Sequence, residues 1–83
     1  MPSYEVEIDD EVTEKLVSEG YWITGTLLQL DGHLFMVMGY NFWGWLQDCE
    51  DPTIFYDVVL YHIGTGFKSS FPLRKVLDSA IKF

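Results

Sequence analysis

The chain has 83 residues and carries thirteen acidic side chains against five lysines and arginines, a formal net charge of −8 at pH 7. That balance excludes unassisted binding to DNA, RNA or an anionic membrane, all of which demand positive charge. Hydrophobic residues make up 48% of the sequence and aromatic residues 17%, which excludes a disordered tail and fits one domain over residues 1–83 with more apolar surface than a small core can hide.

In chain order, Tyr4 to Ile8 alternate polar and apolar residues and predict a short edge strand. Asp9 and Asp10 supply a helix N-cap, because a short side-chain oxygen accepts from the first free backbone N–H groups, and Glu11 adds charge where the helix dipole favours it. The helix is expected from about Asp10 to Glu19, burying Val12, Leu16 and Val17, with Gly20 ending it. Tyr21 to Leu30 and His33 to Tyr40 flank Asp31-Gly32, the dipeptide suited to a type I′ hairpin turn. Asn41 to Thr53 reads as a connection, Ile54 to Ile63 as a third strand ended by Gly64-Thr65-Gly66, and Phe67 to Phe71 as a further short strand. Pro72 suits a helix first turn, with Ser69 and Ser70 as capping residues, and Leu73, Val76, Leu77, Ala80 and Ile81 form an apolar stripe behind it.

The order predicts an α+β domain: an antiparallel, curled meander sheet of three to four strands packed with an N-terminal and a C-terminal helix. A small SH3-like β-barrel with terminal helices is the alternative. The central strands break simple alternation. On one, His33, Phe35 and Val37 oppose Leu34, Met36, Met38 and Tyr40; on the next, Ile54, Tyr56, Val58 and Leu60 oppose Phe55, Val59, Tyr61 and Ile63. A sheet that is apolar on both faces needs helices on both, closure into a barrel, or a second molecule.

Chemical machinery is sparse. His33, His62 and Cys49 are the only nitrogen and sulfur ligands, with no two at close ligand spacing, so neither a metal nor a cofactor is expected. Ser69 and Ser70 lack the Gly-x-Ser-x-Gly elbow, and Cys49 lies between Asp48 and Glu50, whose charges disfavour the thiolate. Gly64-Thr65-Gly66 with Lys68 lacks the spacing of a phosphate loop. A double-stranded-RNA-binding arrangement would need basic residues that amount here to Arg74 and Lys75, and the RNA-recognition strand motif is missing. Asp57 within a strand, with His62, leaves a pocket enzyme as a minor reading. A single cysteine permits no internal disulfide, the acidic N-terminus does not read as a secretory signal, and the longest apolar run, Leu34 to Met38, is too short to cross a bilayer. A cytoplasmic location is therefore expected.

What remains is Tyr40-Asn41-Phe42-Trp43-Gly44-Trp45, an aromatic cluster flowing into Asp48, Glu50 and Asp51. Tryptophan and tyrosine are enriched at interaction hot spots, and neighbouring acids steer a basic partner in. The expected contact residues are Tyr40, Phe42, Trp43 and Trp45 as anchors, Asp48, Glu50 and Asp51 as a charged rim, and Asp10, Glu11 and Glu14 as a second acidic face. The expected function is a non-enzymatic, acidic protein-binding domain of the inhibitor or adaptor kind that phages and mobile elements encode, covering a basic or nucleic-acid-binding surface of a larger protein. Self-association through the doubly apolar sheet, as a homodimer or structural subunit, is the alternative.

Overall fold

The computed structural model describes residues 7–42 and 55–82. Helix α1 spans Asp10–Ser18, and its cap is the one the acidic run predicts: the Asp9 side chain accepts from the backbone N–H groups of Glu11 and Val12 at 3.0 and 3.1 Å. At the far end Gly20 has φ 102°, its N–H donates to the Val17 carbonyl, and the Tyr21 N–H donates to the Leu16 carbonyl. That pair of bonds is a Schellman closure, which needs the left-handed conformation glycine adopts without strain.

Five antiparallel strands follow: β1 (Leu27–Leu30), β2 (His33–Phe42), β3 (Tyr56–His62), β4 (Lys68–Pro72) and β5 (Ile81–Lys82), in the order β4-β3-β2-β1-β5. Helix α2 (Leu73–Ser79) lies between β4 and β5. The class is α+β, and the sheet is not closed into a barrel. The β1–β2 turn has Asp31 at φ 51° and Gly32 at φ 79°, with Leu30 opposite His33, as a type I′ turn requires. Among the described residues no helix is long and apolar enough to cross a membrane.

Several boundaries differ from the sequence expectation. The strand expected over Tyr21 to Leu30 begins only at Leu27, because Ile23 to Thr26 form a turn in which Gly25 has φ 96° and Gly25 and Thr26 both bond to Val37. Strand β2 continues through Asn41 and Phe42, which were assigned to a connection. The strand expected over Tyr4 to Ile8 lies mostly outside the described residues, and Glu7 and Ile8 carry no strand pairing. Ser69 and Ser70 belong to β4 rather than capping α2, whose first turn has no side-chain cap bond. The last helix stops at Ser79; Ala80 turns extended and Ile81 pairs with Gln29, so Ile81 leaves the expected apolar stripe and is 63% exposed. The pairing satisfies backbone groups on the outer edge of β1 that would otherwise face solvent unpaired.

The largest departure is a β-bulge. Val37 pairs with Leu60 and Gly39 with Val59, so the register slips by one residue at Met38. Alternation along β2 inverts beyond that point. Tyr40 joins Phe35 and Val37 on the core face instead of sharing the opposite face with Leu34 and Met36. The core unites Leu28, Leu30, Phe35, Val37, Tyr40, Tyr56, Val58 and Leu60 of the sheet with Leu16 of α1 and Leu73 and Val76 of α2. The other face carries Leu27, Leu34, Met36, Met38, Tyr61 and Ile81; Leu27 and Leu34 are 39% and 38% exposed, while Val59 on that face is fully buried.

Candidate interaction site

Beside the bulge, predicted contact residues from distant parts of the sequence meet among the described residues. Strand pairing with β1 stops at Met36, and beyond it the backbone groups of Tyr40 meet the segment that leads into α1. The Asp9 N–H donates to the Tyr40 carbonyl at 3.1 Å and to Asn41 Oδ1 at 2.8 Å. Asn41 Nδ2 returns a bond to the Glu7 carbonyl. Thr13 Oγ1 accepts from the Tyr40 N–H at 3.0 Å and donates to the Asp9 carbonyl at 2.8 Å. Gly39 makes the approach possible, since a Cβ there would overlap Ile8 Cγ2. Glu7 to Thr13 are thus strapped along the last residues of β2.

An open pocket of about 520 Å³ results, lined by Glu7, Ile8, Asp9, Asp10, Asn41 and Phe42. Phe42 is 48% exposed and packs at 5.0 Å against Tyr56 and at 6.3 Å against Phe55. Lys15 Nζ donates to the hydroxyl of Tyr56 at 2.8 Å, a bond that raises the lysine above its ordinary range. Three of the lining residues, Glu7, Asp9 and Asp10, are acidic. The α1 N-terminus contributes only about half a positive charge, so the local field is negative, and an exposed ring beside it suits a cationic group.

Compared with known protein families, curated proteins and solved structures, the chain has no significant match in any of the three. Its function must be argued from the site itself.

Of the expected contact residues, Phe42 and Asp10 line the pocket together although 32 positions separate them. Glu11 and Glu14 are exposed on α1 but do not line it. Trp43, Trp45, Asp48, Glu50 and Asp51, with Cys49, lie outside the described residues. Tyr40 is not a surface anchor. Its ring is fully buried, and its hydroxyl donates to the Trp22 carbonyl at 2.6 Å. Burial, with Tyr21 nearby, pushes that phenol above its usual range.

The pocket also recruits Glu7, Asp9 and Asn41, which sequence reasoning did not nominate. Asp9 was read as a cap, and it is one; Asn41 was placed in a connection, and nothing local announces its bond to Glu7. The histidines, 29 positions apart, meet across β2 and β3, with His62 Nε2 at 3.2 Å from His33 Nδ1. Among the described residues no group of three His, Cys, Asp or Glu side chains gathers to hold a metal. Asp57 pairs with Asn41 and Pro72, while His62 sits five residues on with Phe35 on the core face. Alternation therefore places Asp57 and His62 on opposite faces of the sheet among the described residues.

Proposed function

We propose that this chain is a non-enzymatic, cytoplasmic binding domain, an inhibitor or adaptor that covers a basic or nucleic-acid-binding surface of a larger protein. One observation carries the reading: exposed Phe42 and the acidic residues Glu7, Asp9 and Asp10 line the same open pocket. Negative charge draws a basic surface in, and the apolar ring gives it something to bury against once it arrives. The remaining acids of α1, Glu11 and Glu14, extend the negative surface beyond the pocket.

The test is affinity capture from a native extract, comparing the wild-type chain with a Phe42→Ala/Asp10→Lys variant whose circular dichroism matches it. A basic protein retained by the wild type, lost by the variant and displaced by added polyanion supports the reading. Equal recovery by both chains removes the pocket from it.

A second reading has its own support. Leu27, Leu34 and Ile81 stay exposed on the sheet face that carries Met36, Met38 and Tyr61, and an apolar strip of this kind suits sheet-to-sheet pairing with a second copy. Light scattering at dilute concentration separates the two: a dimer that Leu34→Glu converts to monomer favours self-association, and a wild-type monomer favours the free binding domain.

A further inference from the structure

The turn joining β3 to β4 is fastened by a histidine relay that the pocket does not use. The Thr65 N–H donates to His62 Nδ1 at 3.0 Å, and the Thr65 hydroxyl lies 2.9 Å from the same nitrogen. A nitrogen that accepts from a backbone N–H carries no proton of its own, so the neutral ring has its proton on Nε2. That nitrogen faces His33 Nδ1 at 3.2 Å and donates to it. The local packing is built around this arrangement. The two imidazoles stand with centroids 5.0 Å apart, Phe35 closes on His62 edge-to-face at 5.0 Å, and a Cβ on Gly64 would press on His62 Cε1 at 3.1 Å.

We propose that the His33–His62–Thr65 chain is a proton-sensitive latch on the β3–β4 turn. Each bond needs a bare acceptor nitrogen, Nδ1 of His62 for Thr65 and Nδ1 of His33 for His62. A proton added to His62 goes to Nδ1 and sets two N–H groups against each other where Thr65 donated. The Thr65 hydroxyl can receive the new N–H, but the backbone amide then loses its acceptor. A proton added to His33 likewise opposes Nε2–H of His62. Either event releases one link, and histidine is the side chain whose charge ordinarily changes between about pH 5 and 8.

The turn carries Phe67, 72% exposed, and Ile63, 42% exposed, and the Phe67 N–H reaches the Thr65 hydroxyl at 3.5 Å. Releasing Thr65 therefore alters how these apolar side chains are presented. Charged groups near the relay come from several elements. Asp31 is in the hairpin turn before His33, and Lys82 of β5 shares the cross-sheet row of Leu28, Phe35 and His62. Lys75 of α2 lies 6.0 Å over the ring of Phe71, which packs on Phe35, and Lys68 of β4 sits across from Tyr61 on the opposite face. A metal reading of the pair is disfavoured because the Thr65 N–H puts a proton on Nε2 of His62, the nitrogen a shared ion would need bare.

Nitrogen-detected NMR of the full chain from pH 8 to pH 5 tests the latch. At the upper end His62 should show a bare Nδ1 and a protonated Nε2. On acidification the Thr65 amide should lose at least about tenfold of its protection from water exchange relative to two internal controls. Those controls are the Gly66 amide, bonded to the His62 carbonyl, and the His62 amide, bonded to the Phe67 carbonyl, both at 2.8 Å and neither involving a ring. The opposite tautomer, or a Thr65 amide that tracks both controls across the range, overturns the proposal. So does micromolar zinc binding that displaces the Nε2 proton, which would make the pair a metal site instead.

Discussion

Gly39→Ala is the sharpest probe of the strap that builds the pocket. Gly39 is not among the positive-φ residues, so alanine is allowed by the backbone and any cost is steric. The added methyl would overlap Ile8 Cγ2 and come to 3.1 Å from Thr13 Oγ1, the hydroxyl that links Tyr40 to Asp9. Overpacking of this kind costs about 1–3 kcal/mol, and disturbing one of the hydroxyl's bonds adds about 1 kcal/mol. A combined loss of about 2–4 kcal/mol corresponds to a fall in Tm of about 10–30 °C for a domain of this size. Ile8→Ala removes the obstructing methyl. In that background Gly39→Ala should cost only about 1 kcal/mol, owed to Thr13 Oγ1, leaving a coupling of about 1–3 kcal/mol, above the roughly 0.5 kcal/mol scatter of independent sites. Urea unfolding of the wild type, both single variants and the double variant supplies the cycle. A cost for Gly39→Ala that is the same with and without Ile8's side chain would refute the strap.

Asp9→Ala should lower stability by about 1 kcal/mol in thermal melts, because two helix N–H groups lose their acceptor. Tyr40→Phe should cost about 1–2 kcal/mol in denaturant unfolding, since the ring still fills its site but the Trp22 carbonyl is left unpaired. The same phenol predicts an alkaline limit. Its folded-state pKa is raised by burial, so the unfolded chain releases the proton first; the contribution is complete below the ordinary tyrosine range and is lost as pH rises above it. Absorbance at about 295 nm, where ionised tyrosine absorbs, should show one phenol fewer titrating with unfolding in Tyr40→Phe than in the wild type.

The parts of the fold legible in the sequence are those written in local chemistry. Asp9 with Asp10, Gly20, and Asp31-Gly32 each satisfy a backbone requirement within a few residues, and each does what its type predicts. The extra residue at Met38 leaves no such mark. Strict alternation through Leu34, Met36, Met38 and Tyr40 read as one face, and only pairing with β3 reveals the slip that sends Tyr40 inward. The exit of Ile81 from its helical stripe was hidden for the same reason: the open edge of β1 that captures it is far away in sequence. At the pocket, acidity and aromaticity were visible in Asp10 and Phe42, but their meeting depends on Asn41 reaching Glu7 and Asp9 across the fold.

Among the described residues the two borders of the sheet are finished differently, and both discourage lateral growth. On one side the outermost strand is only Ile81–Lys82, too short to template an incoming chain over any length. On the other, β4 begins with a lysine and ends with a proline that has no N–H to offer. An edge strand this short, and one bounded by lysine and proline, give an incoming chain few backbone groups to pair with.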